Sequence, residues 1–309
     1  MYDIIGDVHG HAQLLKRLLL KLGYQKTPQG YTNPGRQAIF TGDFLNRGPQ
    51  IRKTVRLIRT MVENGNALAV LGNHELNFLI NTFKGKGGSF NIKPPAKNFI
   101  AGIKTLREFA EHEEEWISHL QWMRTLPFFI ERDGIRVIHA CWADPAVEYL
   151  RDNPGTGKIK KRVFRYIYKN PHSDMAKNIA LVTRGPQFRM PGDLRIINNK
   201  GISPRSFRVR WWEDPKGKTF EDISFESKYR LPEYTVPKEI VTEFYPYAEE
   251  DPPLFFGHYC RFRGPHIINK NLCCVDSCVA GSKSLTAYRW DGENMLTENN
   301  IIKIGANTP

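Results

Sequence analysis

The chain has 309 residues, 40% of them apolar and 25% charged, and carries 45 Lys and Arg against 32 Asp and Glu, a formal net charge of +13. Those proportions are ordinary for a soluble globular protein, long enough to bury a large core as one domain or two. There is no run of eighteen or more apolar residues, which excludes a membrane-spanning helix, and Met1 leads straight into Tyr2-Asp3-Ile4-Ile5 without the basic and apolar start of a signal peptide.

Residues 2–5 read as a short strand. Leu14, Leu15, Leu18, Leu19 and Leu22 recur at helical spacing across residues 11–22, and Gly23 follows where a helix end favours glycine. Residues 37–41 are the next strand, 51–63 a second helix carrying Val55, Ile58, Met61 and Val62, and 67–71 a third strand. This alternation predicts a parallel α/β core, with a site beyond the carboxyl ends of its strands. Residues 83–97, rich in Gly, Lys and Pro, read as a loop placed to cover that site, and 102–124 as one helix with an acidic middle. Residues 128–130 and 135–139 form a strand pair turning at Asp133-Gly134. Residues 152–206 contain a basic run with interspersed aromatics, Lys158 to Tyr166, which reads first as a solvated amphipathic helix, with a nucleic-acid face or a substrate lid as alternatives. Residues 253–259, 266–275 and 284–290 read as strands. A second sheet facing the first would give an α/β fold of four layers, an α/β/β/α sandwich of two mixed sheets. With no internal repeat or linker, residues 1–309 read as a single domain with an insertion or cap around 152–206.

Four strings carry the chemistry: Gly6-Asp7-Val8-His9-Gly10, Gly42-Asp43-Phe44-Leu45-Asn46-Arg47-Gly48, Gly72-Asn73-His74-Glu75 and Gly257-His258. Each sets Asp, Asn or His beside a glycine at the end of an apolar stretch, so the backbone can turn sharply and raise metal ligands at one sheet edge. Phosphate esters resist hydrolysis because their oxygens repel a nucleophile. Two divalent cations about 3.5–4 Å apart neutralise that charge and turn a bound water into hydroxide near neutral pH. A carboxylate can bridge such a pair, one oxygen to each ion, and Asp43 is the candidate bridge.

In their order, these strings resemble the calcineurin-like metallophosphoesterases, closest to the phosphoprotein-phosphatase branch that also holds bacterial diadenosine tetraphosphatases. Val137-Ile138-His139-Ala140-Cys141-Trp142, Arg210-Trp211-Trp212 and Phe255-Phe256-Gly257-His258-Tyr259 extend the resemblance to a bacterial subgroup, over about residues 3 to 290. The resemblance implies that Asp7 and His9 complete one ion's shell and Asn73, His139 and His258 the other's. Two divalent transition-metal ions fit this mixed nitrogen and oxygen set, with Mn²⁺ foremost and Fe²⁺, Zn²⁺ or Co²⁺ as alternatives. Arg47 is implied to grip phosphate oxygens with its planar guanidinium, and His74 to donate a proton to the leaving oxygen. Asn46 stands where the family usually has Asp, beside the catalytic His, which predicts a lower His74 pKa than a carboxylate would support. Arg208 and Arg210 are the candidates to hold the phosphate from the other side, and Arg184 a weaker one. A second departure is Cys260, where the subgroup tends to carry an aromatic residue.

The expected function is a dinuclear-metal phosphoesterase of the phosphomonoesterase or protein serine/threonine phosphatase kind. A symmetrical dinucleoside tetraphosphate hydrolase is the alternative, and a non-catalytic phosphate- or RNA-binding module the reading from another class. The substrate partner is an anionic phosphoprotein or nucleotide, toward which a positive field would steer. Nucleic acid is not favoured, no membrane is involved, and the oligomeric state is left open. The odd count of five cysteines predicts free thiols in a reducing compartment, the cytoplasm. His11, His112, His119, His172 and His266 match no ligand position and read as surface or core histidines.

Overall fold

A computed structural model describes residues 1–83, 102–153, 158–189, 206–225, 235–236, 244–260 and 266–305. From the N-terminus the elements are β1 (Tyr2–Ile5), α1 (Ala12–Lys21), β2 (Gln25–Thr27), β3 (Gly30–Thr32), β4 (Gln37–Phe40), α2 (Ile51–Glu63), β5 (Ala67–Ala69) and α3 (Asn73–Phe83). Next come α4 (Ile103–Glu108), α5 (Glu113–Met123), β6 (Phe129–Arg132), β7 (Ile135–Ile138), α6 (Asp144–Asp152), α7 (Lys161–Lys169) and α8 (Asp174–Arg184). The chain continues through β8 (Gln187–Arg189), β9 (Ser206–Arg208), α9 (Phe220–Ile223), β10 (Leu254–Phe256), β11 (His266–Asn269), β12 (Leu272–Cys274), β13 (Ser284–Trp290) and β14 (Ile301–Gly305).

Two five-stranded sheets form the centre, ordered β14-β13-β1-β4-β5 and β11-β12-β10-β7-β6. In the first, β1, β4 and β5 run parallel, while β13 pairs antiparallel to β1 with Tyr2 opposite Trp290. In the second, β7, β10 and β12 run parallel, with β6 and β11 antiparallel at the edges. Strand pleating assigns the two faces. Tyr2, Ile4 and Ile39 of the first sheet pack on Val137, Phe255 and Cys273 of the second, forming one apolar layer between the sheets. Their alternates, Ile5, Phe40, Ile138 and Phe256, join the Leu face of α1 and the apolar faces of α2, α3 and α5 in the main core. Each such buried side chain contributes about 1.5–3 kcal/mol of transfer free energy. The result is the expected α/β/β/α sandwich.

Two expected elements divide. The helix expected over 102–124 is two, α4 and α5, because the chain turns at Phe109 to His112 so that Phe109 can pack on Trp116 at 4.8 Å. Glu113, Glu114 and Glu115 then fill the first turn of α5, where the helix dipole favours negative charge. The strand expected over 266–275 is the hairpin β11–β12, turning at Lys270-Asn271. The turn at Asp133-Gly134 has positive φ at both residues (50° and 85°), as a two-residue hairpin requires. Within 152–206, residues 158–184 supply α7 and α8, which pack on α3. Beyond Phe83, the loop expected over 83–97 lies outside the described residues, as does most of 190–206. No helix among the described residues is long and apolar enough to cross a membrane. The cysteine expectation is corrected in part: Cys141, Cys273 and Cys274 are free and buried, but Cys260 and Cys278 form a disulfide. Their Cα atoms lie 4.9 Å apart because the chain segments after β10 and β12 leave parallel neighbours on the same side.

The two sheets come into close backbone contact just past β1. A Cβ on Gly6 would lie 2.2 Å from the Val275 carbonyl oxygen, a backbone atom that cannot swing away. Gly6→Ala is therefore expected to destabilise the fold by about 3 kcal/mol, read as a lower urea midpoint at unchanged m. An unaltered midpoint would contradict this sheet-to-sheet contact.

Candidate metal centre

Parallel strands deliver the four strings to one place. Asp7, Asp43 and Asn73 follow β1, β4 and β5 at the carboxyl edge of the first sheet, and His139 and His258 follow β7 and β10 at the same edge of the second. The loops are tied across both sheets: His9 N donates to Asp43 O at 2.9 Å, Gly257 N to His139 O at 2.9 Å, and His258 N to Asp7 Oδ2 at 3.1 Å. Holding side chains inward here forces unusual backbone. His9, Asp43, Asn46, Arg47 and His258 all have positive φ, between 42° and 68°, a conformation that non-glycine residues adopt only when their surroundings impose it. Gly72 is needed for a different reason: a Cβ there would lie 2.4 Å from both Asp43 N and Asp43 Oδ1.

Asp43 is at the centre. Its carboxylate oxygens lie 3.7 Å from His9 Nε2, 3.8 Å from His74 Nε2 and 3.5 Å from His139 Nε2. Asp43, His139 and His258 form one potential ligand cluster and His9, Asp43 and His74 another, sharing the same carboxylate. The tautomers follow from the other ring nitrogens. His9 Nδ1 faces Leu45 O at 2.9 Å and His139 Nδ1 faces Thr41 O at 2.7 Å; a carbonyl only accepts, so both rings carry their proton on Nδ1. The Nε2 lone pairs of His9 and His139 therefore point at a carboxylate, acceptor against acceptor. A cation between them resolves that opposition, and a hydrogen-bonded Nδ1 orienting Nε2 is the usual support of a metal-bound imidazole. The donor set fits a pair of divalent ions.

The electrostatics agree. Burial alone would raise the Asp43 pKa, but the surrounding His74, His139, His9 and His258 rings hold it well below the usual carboxylate range. Burial, then the charges of Asp276 and Asp43, push Asp7 well above that range. Burial lowers His9 to about 3, and lowers His74 and His258 as well. A buried, ionised Asp43 beside His9, His74 and His258, whose burial disfavours their charged forms, is a cation site by charge as well as by geometry.

His74 lies beside Asp43, its backbone N–H donating to Asp43 Oδ1 at 3.0 Å. Thr105 Oγ1 donates to Asn46 Oδ1 at 2.6 Å, which turns the Asn46 amide nitrogen to His74 Nδ1. Asn46 thus donates to the ring, where an aspartate would accept from it, and the His74 proton sits on Nε2, facing the site. The amide oxygen, which could otherwise accept from the ring, is occupied by Thr105. Arg47 is exposed, and its guanidinium has no partner among the described residues, yet its charge acts on His9 and His74. Arg184, the weaker expectation, donates to Asn77 Oδ1 at 2.6 Å, and its charge acts on His74; burial lowers its pKa and the Asp43 charge opposes that. Arg208 donates to His258 O at 2.7 Å and lies over the rings of Phe225 and Tyr259, so it braces a ligand loop. Arg210 is paired with Glu213 at 3.5 Å.

Sequence reasoning assigned nothing to two buried carboxylates here. Glu75 accepts from the backbone N–H groups of Asp43, Phe44 and Leu45 at 2.9, 3.0 and 3.1 Å, folding the loop that presents Asp43. Burial and the adjacent Asp43 charge push its carboxyl up to about 8. Asp276 accepts from Cys278 N at 2.9 Å and, being buried and near Asp43, is also raised. Its signal was available: it follows the apolar run Leu272 to Val275 as Asp7 follows β1.

A family model described as calcineurin-like phosphoesterase matches residues 2–174. The symmetrical bis(5′-nucleosyl)-tetraphosphatase of Vibrio vulnificus is 22% identical over 302 residues, 96% of this chain and 97% of that one. The asymmetrical bis(5′-nucleosyl)-tetraphosphatase PrpE of Halalkalibacterium halodurans is 45% identical over 74 residues, 24% of this chain; only 30% of that relative's length is spanned. Among solved structures, a protein serine/threonine phosphatase from Saccharomyces cerevisiae with similarity to human phosphatase PP5 aligns with a TM-score of 0.54 at 15% identity, over 100% of this chain and 80% of that one, a likeness of fold.

The buried titratable groups predict how the chelated protein responds to pH. His9, His11, His74, His119 and His258 all have lowered pKa values, so below about pH 6.5 the unfolded chain binds more protons than the folded one and stability rises with pH. Above that, Glu75 and Asp7 keep protons that the unfolded chain has lost, so stability falls as pH climbs toward about 8. Melting temperatures in chelator should peak near neutrality, and Glu75→Gln should flatten the alkaline limb. A wild-type Tm still rising at the alkaline end would refute this ordering.

Proposed function

The chain belongs to the calcineurin-like phosphoesterase family, and on that premise we propose that it hydrolyses phosphate esters at a dinuclear divalent-metal centre. The observation that carries the proposal is the convergence of the His9 and His139 lone pairs on the Asp43 carboxylate. In this reading Asp7, His9 and Asp43 hold one ion and Asp43, Asn73, His139 and His258 the other, with Mn²⁺ preferred over Fe²⁺, Zn²⁺ or Co²⁺. The ion pair, when bound, neutralises phosphate charge and supplies a nucleophilic water near neutral pH.

The chain's own residues do the rest. Arg47 grips equatorial phosphate oxygens from the solvent side, and Arg184 faces them from α8, the part first assigned to Arg208 and Arg210. Both arginines stabilise charge that builds on the phosphoryl group. His74 Nε2–H donates to the leaving oxygen. Asn46 sets the His74 tautomer but adds no negative charge, so the ring is a poorer cation than one paired with aspartate, and the proposed substrates have leaving oxygens that need little protonation. The chain acts as one unit with 152–206 as an insertion, in the cytoplasm, where reduction would open Cys260–Cys278.

A second reading, a dinucleoside tetraphosphate hydrolase, is supported by the alignment with the Vibrio vulnificus enzyme over 96% of this chain. Its phosphoanhydride leaving group also suits a weakly charged His74.

With Mn²⁺, activity is expected on p-nitrophenyl phosphate and on diadenosine tetraphosphate. Asp43→Asn should lower kcat/KM on the order of 10³-fold and reduce bound metal per chain by elemental analysis; an active, metal-replete Asp43→Asn protein would sink the proposal. Asn46→Asp should favour a phosphoserine peptide over p-nitrophenyl phosphate by about tenfold, a fraction of what general acid catalysis supplies. Equal changes on both substrates would remove the assigned role of Asn46.

A further inference from the structure

Helix α7 is the basic feature that the metal centre does not use. From Lys158 to Ser173 the chain carries Lys158, Lys160, Lys161, Arg162, Arg165 and Lys169 and neither Asp nor Glu. Its apolar side is occupied: Val163, Phe164 and Ile167 are buried in the main core, and Phe164 stacks on Phe83 of α3 at 5.8 Å. The other side faces water, with Lys158, Lys160, Lys161, Arg162 and Lys169 exposed and Tyr166 and Tyr168 about half exposed at 49% and 52%.

Helix α2 shows what a matched basic face looks like. On α2, Arg52 and Arg56 pair with Glu115, and Arg59 pairs with Glu63. Lys158, Lys160, Lys161, Arg162 and Lys169 have no carboxylate partner among the described residues; Lys161 Nζ lies over the Phe83 ring at 5.1 Å. A helix that is merely solvated would intersperse both signs. Five cations without a carboxylate partner among the described residues, beside the half-exposed side chains of Tyr166 and Tyr168, match a polyanion whose repeating charges alternate with flat apolar groups. That is single-stranded nucleic acid, whose phosphates take the cations and whose unstacked bases take the rings. A duplex keeps its bases stacked away from such rings, and a lipid surface would need an apolar helix face, which here is inside the core.

We propose that the exposed face of α7 binds single-stranded nucleic acid. The helix packs against α3, whose first residues are Asn73 and His74. The 11 residues of α3 span about 16 Å, so a short strand held on α7 can reach the metal centre. Binding itself does not depend on hydrolysis and is measured in chelator, so its failure leaves the hydrolase reading untouched.

The test is fluorescence anisotropy with a labelled short oligoadenylate RNA on the full chain, with its RNA duplex, long-chain inorganic polyphosphate and acidic phospholipid vesicles as competitors. Lys160→Glu, Lys161→Glu and Arg162→Glu combined should weaken binding by more than tenfold and make the log–log salt slope shallower by about 2, near 0.7 per lost phosphate contact. Tyr166→Ala with Tyr168→Ala should weaken it about tenfold without changing that slope. Both variants should keep wild-type hydrolysis of p-nitrophenyl phosphate, which checks their folding. Absence of salt-dependent binding overturns the proposal. So does equal competition by duplex or vesicles, or indifference to loss of the tyrosines with polyphosphate competing as well as RNA.

Discussion

Burying Asp43 is the constraint that organises this molecule. A carboxylate at 1% exposure needs compensating charge or hydrogen bonds, and no Lys or Arg pairs with it among the described residues. The rings that surround it come from both sheets, His9 and His74 on the first, His139 and His258 on the second, and the lone pairs of His9 and His139 call for a cation between ring and carboxylate. The two sheets must therefore keep their carboxyl edges in register, and the apolar layer containing Ile4, Ile39, Val137 and Phe255 holds them so. The core and the site are one problem in packing, because a slip between sheets would separate Asp43 from His139.

Glu75 shows how the loop meets that demand. One carboxylate gathers three successive backbone N–H groups at 43–45, which have no strand or helix partner of their own. Such a loop would otherwise expose donors to a dry interior. The same loop holds Asp43, Asn46 and Arg47 in left-handed backbone. The strain is local, and the hydrogen bonds from His9 N to Asp43 O and from Gly10 N to Phe44 O repay it with a rigid rim.

The parts of this arrangement legible in the sequence were those that depend on local pattern. Strand–helix alternation through residue 71 and the leucine periodicity of α1 reflect which face is buried, a short-range property. The proposed ligands were legible because each sits beside a glycine just past an apolar strand, and the parallel sheet converts that position into proximity. The split of the 102–124 helix was not legible, since Phe109 turns out of helix to meet Trp116, a tertiary choice that overrides propensity. Nor was the pairing of Cys260 with Cys278, which depends on β10 and β12 being neighbours. The arginines illustrate the same limit. Position before Trp211-Trp212 favoured Arg208 and Arg210, but Arg208 binds the His258 carbonyl and Arg210 pairs with Glu213, while the Arg184 charge acts at Asp43.

The Asn46 amide follows from that geometry. Its oxygen is taken by the Thr105 hydroxyl, so only its nitrogen is left for His74 Nδ1. An aspartate here could accept from both partners; the amide can only accept from one and donate to the other. Thr105 thus fixes which tautomer His74 adopts, from a helix, α4, with no part in the metal shell. Burial disfavours the imidazolium, the Asp43 charge favours it, and the positive charges of Arg47 and Arg184 oppose it; with Nδ1 an acceptor, Asn46 adds nothing in its favour. In the proposed mechanism the centre therefore concentrates positive charge in Arg47 and Arg184, for the phosphoryl oxygens, and uses His74 as a neutral donor at the leaving side. Charge stabilisation and proton donation, joined in a His–Asp pair, are here assigned to separate groups.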